Sequence, residues 1–198
     1  MDDKALMAMW VVGAYLVGGV PFGFLIGKLR GVDVRTVGSK NIGATNVYRT
    51  VGHKWGFLAF FCDFLKGFLP AFFALRFASS VNANIPVCVG LACVIGHTLT
   101  VFMKFRGGKG VATAFGMMVA LAACPTLLAF AVFVVTVWIS HYISLGSILA
   151  AATLGVLVWF FPCLLAVRII VVLVAVFVIV KHKSNIRRLV KGCENKIY

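Results

Sequence analysis

Charge is scarce in this chain: only 12% of its 198 residues are charged, and five acidic residues stand against 19 Lys and Arg. With 62% hydrophobic residues and a mean hydropathy of +1.06, the chain is far more apolar than a soluble domain of this length needs for its core. That excludes a water-soluble fold and implies an integral membrane protein. The six cysteines, Cys62, Cys88, Cys93, Cys124, Cys163 and Cys193, form no CxxC pair, and five lie in apolar runs. They read as small hydrophobes rather than a disulfide or zinc framework. His53, His97, His141 and His182 lack ligand spacing, so no zinc site is expected, and no other metal or cofactor. No repeat of 20 to 50 residues and no segment resembling a separate soluble domain is present, so residues 1–198 read as one polytopic membrane domain. The N-terminal apolar run lacks an A-x-A cleavage site and is too long for the apolar region of a signal peptide, so it is read as a mature span.

Positive charge is what the chain has in concentrated form. Residues 28–54, 104–109 and 181–196 carry 15 of the 19 Lys and Arg residues, within a net charge of +14. These residues sit between apolar runs, not on a soluble face with interleaved aromatics, which argues against nucleic acid. The expected anionic partner is a membrane lipid headgroup or a small phosphorylated substrate drawn to a positive mouth.

The apolar runs are 5–26, 56–77, 85–103, 143–161 and 164–180, with a 29-residue stretch at 111–139 that carries Pro125 near its middle. The first run, 22 residues, would span about 33 Å as a helix, enough for a hydrocarbon core. Taken as one kinked helix, 111–139 gives six spans and divides the basic residues about evenly. Taken as a hairpin turning at Cys124-Pro125, it gives seven, with 15 basic residues on one face against Lys4, Arg76 and Arg168 on the other and Lys66 within a span. The positive-inside rule selects seven transmembrane helices, N-terminus outside and C-terminus cytoplasmic. Each hairpin arm is then only about 14 residues, roughly 21 Å, and requires local thinning or extension into the loops.

Three polar stretches could bind an anion at the bilayer surface. Residues 35–49 are dense in Gly, Ser, Thr and Asn, material for turns that point backbone N–H groups into a concavity. Ser39, Asn41, Thr45 and Asn46 add neutral hydrogen-bonding groups there, and Arg49 a planar fork suited to phosphate. Phe105-Arg-Gly-Gly-Lys-Gly-Val-Ala-Thr113 places a glycine nest and one cation, Lys109, before a helix, an arrangement that attracts phosphate. It is not a Walker A loop, because Met103 occupies the first glycine position and Gly110 the Ser/Thr position. In the third stretch His182, Asn185 and Arg188 share a helix face, and His182 is suited to proton transfer near neutral pH. The turn at 140–147 offers the hydroxyls of Ser144 and Ser147 on one face. Asp63 and Lys66, three apart inside the second span, must neutralise each other or face a wet cavity. They either shape a site or pin their helix to the first loop.

Together, Gly38-Ser-Lys-Asn-Ile-Gly-Ala-Thr-Asn-Val-Tyr-Arg49, Asp63-Phe-Leu-Lys-Gly67, Gly107-Gly-Lys-Gly-Val-Ala-Thr113 and His182-Lys-Ser-Asn-Ile-Arg-Arg188 resemble, in order, the motifs of the bacterial membrane acyl-phosphate:glycerol-3-phosphate acyltransferase family. The resemblance covers almost the whole chain. One departure is Lys40, where the family usually has glycine; if that position needs a positive φ, lysine carries a backbone cost. A milder one is Pro21-Phe-Gly, where the family tends to have a serine-containing stretch.

The resemblance implies acyl transfer from acyl phosphate to the sn-1 hydroxyl of glycerol 3-phosphate, giving lysophosphatidic acid and phosphate for phospholipid biosynthesis. It also implies a seven-span protein of the bacterial plasma membrane with its site open to the cytoplasm. Substrate binding falls on Ser39, Asn41, Arg49, Ser147 and Asn185, with Asn46 and Ser144 second in rank, and catalytic roles on Lys109 and His182. The partners implied are the two substrates and membrane lipid, with no protein partner indicated. None of the four histidines has an aspartate five residues later, so the H-x-x-x-x-D base of soluble-type acyltransferases is absent. The proton would pass to a phosphate oxygen of the substrate or to His182. A transporter for phosphorylated metabolites is the rival reading, disfavoured because the polar motifs gather on one face rather than at the midplane.

Overall fold

The computed structural model describes residues 2–197, and among these every regular element is helical. Five helical segments are long and apolar enough to cross a membrane, and a sixth appears if one bent pair near the C-terminus counts as a single span. The chain is a multi-pass membrane protein. It divides into two compact units, one ending at Leu121 and the other starting at Ala122.

The first unit contains α1 (Asp3–Gly19), α2 (Phe22–Leu29), α3 (Ala44–Thr50), α4 (His53–Phe77), α5 (Ile85–Thr98) and α6 (Val111–Leu121). Asp2 caps α1 by accepting a hydrogen bond from the Ala5 N–H at 2.6 Å. The expected helix over 5–26 is broken at Val20-Pro21, because proline has no N–H to continue the ladder. The carbonyls exposed by the break are taken up from other helices. Lys66 Nζ donates to Val20 O at 2.7 Å, and Thr100 Oγ1 to Gly19 O at 2.7 Å.

In α4 the usual distribution of side chains is reversed. Its buried face carries Gly56, Ala59, Asp63, Lys66, Gly67, Ala71 and Ala74, while Phe57, Phe61, Phe72, Phe73 and Phe77 point outward. This is the pattern of a helix in lipid, where small residues allow close helix contact and large apolar ones meet acyl chains. α4 packs on α6, and a Cβ at Gly67 would overlap the backbone carbonyl of Thr113. Only glycine fits where the two helices cross.

The second unit contains α7 (Ala123–Ser140), α8 (Ile143–Leu157) with a 3-10 turn at Val158–Phe160, α9 (Leu165–Lys181) and α10 (Lys183–Val190). α7 packs on α8 and α8 on α9, and the axis bends by 55° between α9 and α10. The break in the stretch 111–139 differs from the sequence expectation. It falls at Ala122 rather than at Cys124-Pro125, leaving helices of 11 and 18 residues, the second ending one residue past the stretch, instead of two equal arms. Pro125 is the third residue of α7, inside the first turn, where a missing N–H removes no intrahelical bond. α6 is consequently only about 16 Å long.

Candidate functional site

In the first unit, residues 30–43 are laid over an apolar cluster of Ile26, Val34, Ile42, Val47 and Ala59. Asn46, only 1% exposed, organises this loop from within. Its Nδ2 donates to Val34 O at 2.8 Å and Val37 O at 3.2 Å, and its Oδ1 accepts from the Ser39 N–H at 2.8 Å. Asn41 Oδ1 accepts from the Gly43 N–H at 2.8 Å, one residue before α3 begins. The Lys40 N–H donates to Val37 O.

The sequence suggested that the amides of this loop face a ligand; those of Ser39, Lys40 and Gly43 are instead bonded within the loop. Ser39 is exposed, while Asn41 and Arg49 are half-buried, Arg49 on the last turn of α3. Lys40 has φ +56°, the left-handed region that favours glycine.

Asp33, outside the spans, pairs with Arg35 at 2.7 Å and with Lys28 at 3.5 Å. Hydrogen bonds from Arg35 hold its carboxyl well below the usual carboxylate range. Arg35 also lies over the Phe24 ring at 4.5 Å. These basic residues of the first loop are thus engaged locally.

The glycine-rich loop closes onto the end of α5. The Gly107 N–H donates to Thr98 O at 3.1 Å and the Gly108 N–H to His97 O at 3.2 Å, satisfying carbonyls left over at the helix C-terminus. A Cβ at Gly107 would overlap His97 O, and one at Gly108 would overlap His97 Nε2. The glycines serve close approach to α5, so their two amides are not the anion nest expected from the sequence. Lys109 is half-buried between Gly108 and Gly110, and the Ala114 N–H donates to Gly110 O at 2.7 Å as α6 begins.

Under this loop lies a buried group that the sequence showed only in part. Asp63, Lys66 and His97 are 2%, 3% and 5% exposed. Asp63 Oδ1 is 2.7 Å from Lys66 Nζ and 3.6 Å from His97 Nδ1. The first pair was legible as a charge-neutral couple three residues apart. His97 was not, since it is 34 positions away and carries no spacing signal.

In the second unit the centre is Glu194, the single glutamate of the chain, on the segment after α10. Its Oε1 accepts from Ser144 Oγ at 2.9 Å and Asn185 Nδ2 at 2.7 Å, and its Oε2 from Arg188 Nε at 2.6 Å. Burial works to raise its pKa, but the hydrogen bonds from Asn185, Arg188 and Ser144 prevail and hold it below the ordinary value. The sequence-derived residues Ser144 and Asn185 are therefore brought together, through a carboxylate that sequence reading overlooked. The available signal was a lone glutamate within a basic tail.

Ser147, buried one turn beyond Ser144, donates to Ile143 O at 2.9 Å. His182, 3% exposed, ends α9, with Nδ1 2.7 Å from Val178 O. A carbonyl only accepts, so Nδ1 carries the proton, and Nε2 is the basic nitrogen of the neutral ring. Among the described residues no three of His, Cys, Asp and Glu gather as a metal-binding group.

The family model for glycerol-3-phosphate acyltransferase matches residues 8–192. The chain belongs to the glycerol-3-phosphate acyltransferase family. It is 50% identical to the glycerol-3-phosphate acyltransferase of Trichlorobacter lovleyi over 187 residues, covering 94% of this chain and 95% of the relative. Against the enzyme of that name from Aquifex aeolicus it is 42% identical over 189 residues, covering 94% and 96%. Its fold matches the crystal structure of an integral membrane glycerol 3-phosphate acyltransferase, PlsY, in the glycerol 3-phosphate form. The TM-score is 0.91 at 40% identity, over 96% of this chain and 94% of that one. The lysophosphatidic acid form of the same protein gives 0.89 at 39%, with the same coverage. In this acyltransferase the motif positions lie on the loop before α3 and on α3 itself, on α4, on the α5–α6 loop and start of α6, and at the α9–α10 bend, with Ser144 and Ser147 at the start of α8.

Proposed function

We propose that this acyltransferase moves a fatty acyl group from acyl phosphate to the sn-1 hydroxyl of glycerol 3-phosphate, releasing lysophosphatidic acid and inorganic phosphate. The observation that carries this reading is the match over nearly the whole chain to a solved acyltransferase with glycerol 3-phosphate and lysophosphatidic acid forms. The hydroxyl oxygen attacks the acyl carbonyl, a C–O bond forms, the acyl–phosphate bond breaks, and phosphate leaves with the bonding pair. A mixed anhydride has a good leaving group, so positioning and charge stabilisation supply much of the rate.

Lys109 is assigned to the oxyanion or departing phosphate, and Arg49 to a substrate phosphate. Ser39 and Asn41, also in the first unit, are assigned to substrate binding. Asn46 acts through the loop it holds, its amide being committed to Val34, Val37 and Ser39. In the second unit Ser144, Ser147 and Asn185 are assigned to substrate binding, Ser144 and Asn185 being set by Glu194. His182 Nε2 or a substrate phosphate oxygen takes the hydroxyl proton. The tautomer fixed by Val178 O supports the former.

The protein is placed in the bacterial plasma membrane with seven crossings, the N-terminus outside and the C-terminus and active site cytoplasmic. The division of 15 basic residues against three supports this orientation. α6, the short crossing, is completed by its flanking segments and local thinning.

Proteoliposomes given glycerol 3-phosphate and acyl phosphate test the function. Accumulation of lysophosphatidic acid that stops in Lys109→Ala supports it. Uptake of glycerol 3-phosphate without acyl donor, and without product, would make the protein a transporter.

A further inference from the structure

Asp63, Lys66 and His97 are buried in the first unit, and none is needed to contact a substrate in the reaction above. We propose that Asp63 and His97 are positioning residues for Lys109: the carboxylate, fixed by Lys66, sets the His97 ring as the floor on which the glycine loop is laid. The inference rests on the assignment of Lys109 to the reacting phosphate or oxyanion.

A buried carboxylate needs a cation and a rigid frame. Lys66 supplies both, because its ammonium reaches Asp63 Oδ1 at 2.7 Å and Val20 O at 2.7 Å. The same carboxylate oxygen stands 3.6 Å from His97 Nδ1, beyond hydrogen-bond distance but close enough for its charge to act on that edge of the ring. The opposite ring nitrogen, Nε2, is packed so closely beneath Gly108 that a Cβ there would overlap it, while the His97 carbonyl accepts from the Gly108 N–H.

His97 thus holds the residue before Lys109 by both its backbone and its ring. On the far side of Lys109, Gly67, adjacent to Lys66, lies against the backbone of Thr113 and fixes where α6 starts. The Asp63-Phe-Leu-Lys-Gly67 segment therefore acts on both flanks of Lys109, through His97 before it and through Thr113 after it. Apolar residues of similar volume could hold the helices together equally well. The ion-paired carboxylate instead places a fixed charge against one edge of the ring, and the other edge bears on the loop.

The test uses full-length protein in detergent or lipid, with kcat, KM for glycerol 3-phosphate and melting temperature measured together. His97→Phe keeps a ring but loses Nδ1. Asp63→Asn with Lys66→Met removes both charges at similar volume. Expected is a fall in kcat/KM of about ten- to a hundred-fold, from a displaced Lys109, in folded protein. In a Lys109→Arg background His97→Phe should cause little further loss, since both changes act on one contact. Wild-type kinetics in folded His97→Phe, or losses that multiply in the double variant, overturn the proposal. So does failure of both the His97 and the Asp63/Lys66 variants to fold, which would make the group a fold support only. Lys109→Ala assayed alone separates the two readings. Full activity there defeats the role of Lys109 itself, whereas loss there with silent His97 variants defeats only the positioning inference.

Discussion

Glu194 Oε1 accepts a hydrogen bond from Asn185 Nδ2 at 2.7 Å, tying the segment after α10 back onto that helix. The same oxygen accepts from Ser144 of α8, so one carboxylate sets two side chains assigned to substrate. Glu194→Ala leaves the buried donors of Asn185 and Ser144 without an acceptor, a loss of about 1–3 kcal/mol for an unsatisfied buried group. Denaturation of Glu194→Ala in detergent is expected to show that loss, with KM for glycerol 3-phosphate raised in the folded fraction. Wild-type stability and KM would remove Glu194 from the account.

The sign of the pH effect follows from the lowered pKa of this carboxyl. Its stabilising contribution is fully present above the ordinary value of 4.5 and is lost as pH falls through the lower folded value. Melting temperature is therefore expected to fall on acidification below that ordinary value, and Glu194→Gln should show a flatter acid limb. Parallel curves for the two proteins would contradict this linkage.

Lys40 sits at φ +56°, where an L side chain costs roughly 1 kcal/mol relative to glycine. Lys40→Gly removes that strain, and the greater freedom of glycine in the unfolded chain offsets part of the gain. A rise in stability of up to about 1 kcal/mol, with activity retained, is expected from denaturation and turnover measurements. A loss of activity in Lys40→Gly would show that the ammonium itself serves the reaction.

The proposed orientation is tested on two exposed cysteines, Cys124 near the start of α7 and Cys193 after α10. In variants retaining one cysteine each, a membrane-impermeant maleimide should label Cys124 from the outside of intact spheroplasts. It should label Cys193 only in inverted vesicles. Labelling of both from the same side would contradict an odd number of crossings between them and the seven-span orientation.

Helical membrane character and the polar segments of the site were legible because they are written in composition and contiguous motifs. The ion pair of Asp63 and Lys66 was legible because helical spacing places i and i+3 on one face. Lys40 was legible through the glycine it replaces. His97 and Glu194 were not, because their importance comes from tertiary contacts with residues 34 and 50 positions away, Asp63 and Ser144, which no periodicity records. The loop amides were misread for a related reason. Their composition suits an anion nest, yet Asn46 and the free carbonyls ending α5 take them first. The break at Ala122 rather than Pro125 reflects the tolerance of a helical first turn for proline.

The central claim is that the acyl donor is acyl phosphate and the acceptor glycerol 3-phosphate. Purified protein in lipid, given glycerol 3-phosphate with either acyl phosphate or acyl-CoA, is assayed for lysophosphatidic acid and released phosphate. The account predicts equal amounts of both products from acyl phosphate and none from acyl-CoA. Product formed from acyl-CoA alone would contradict it.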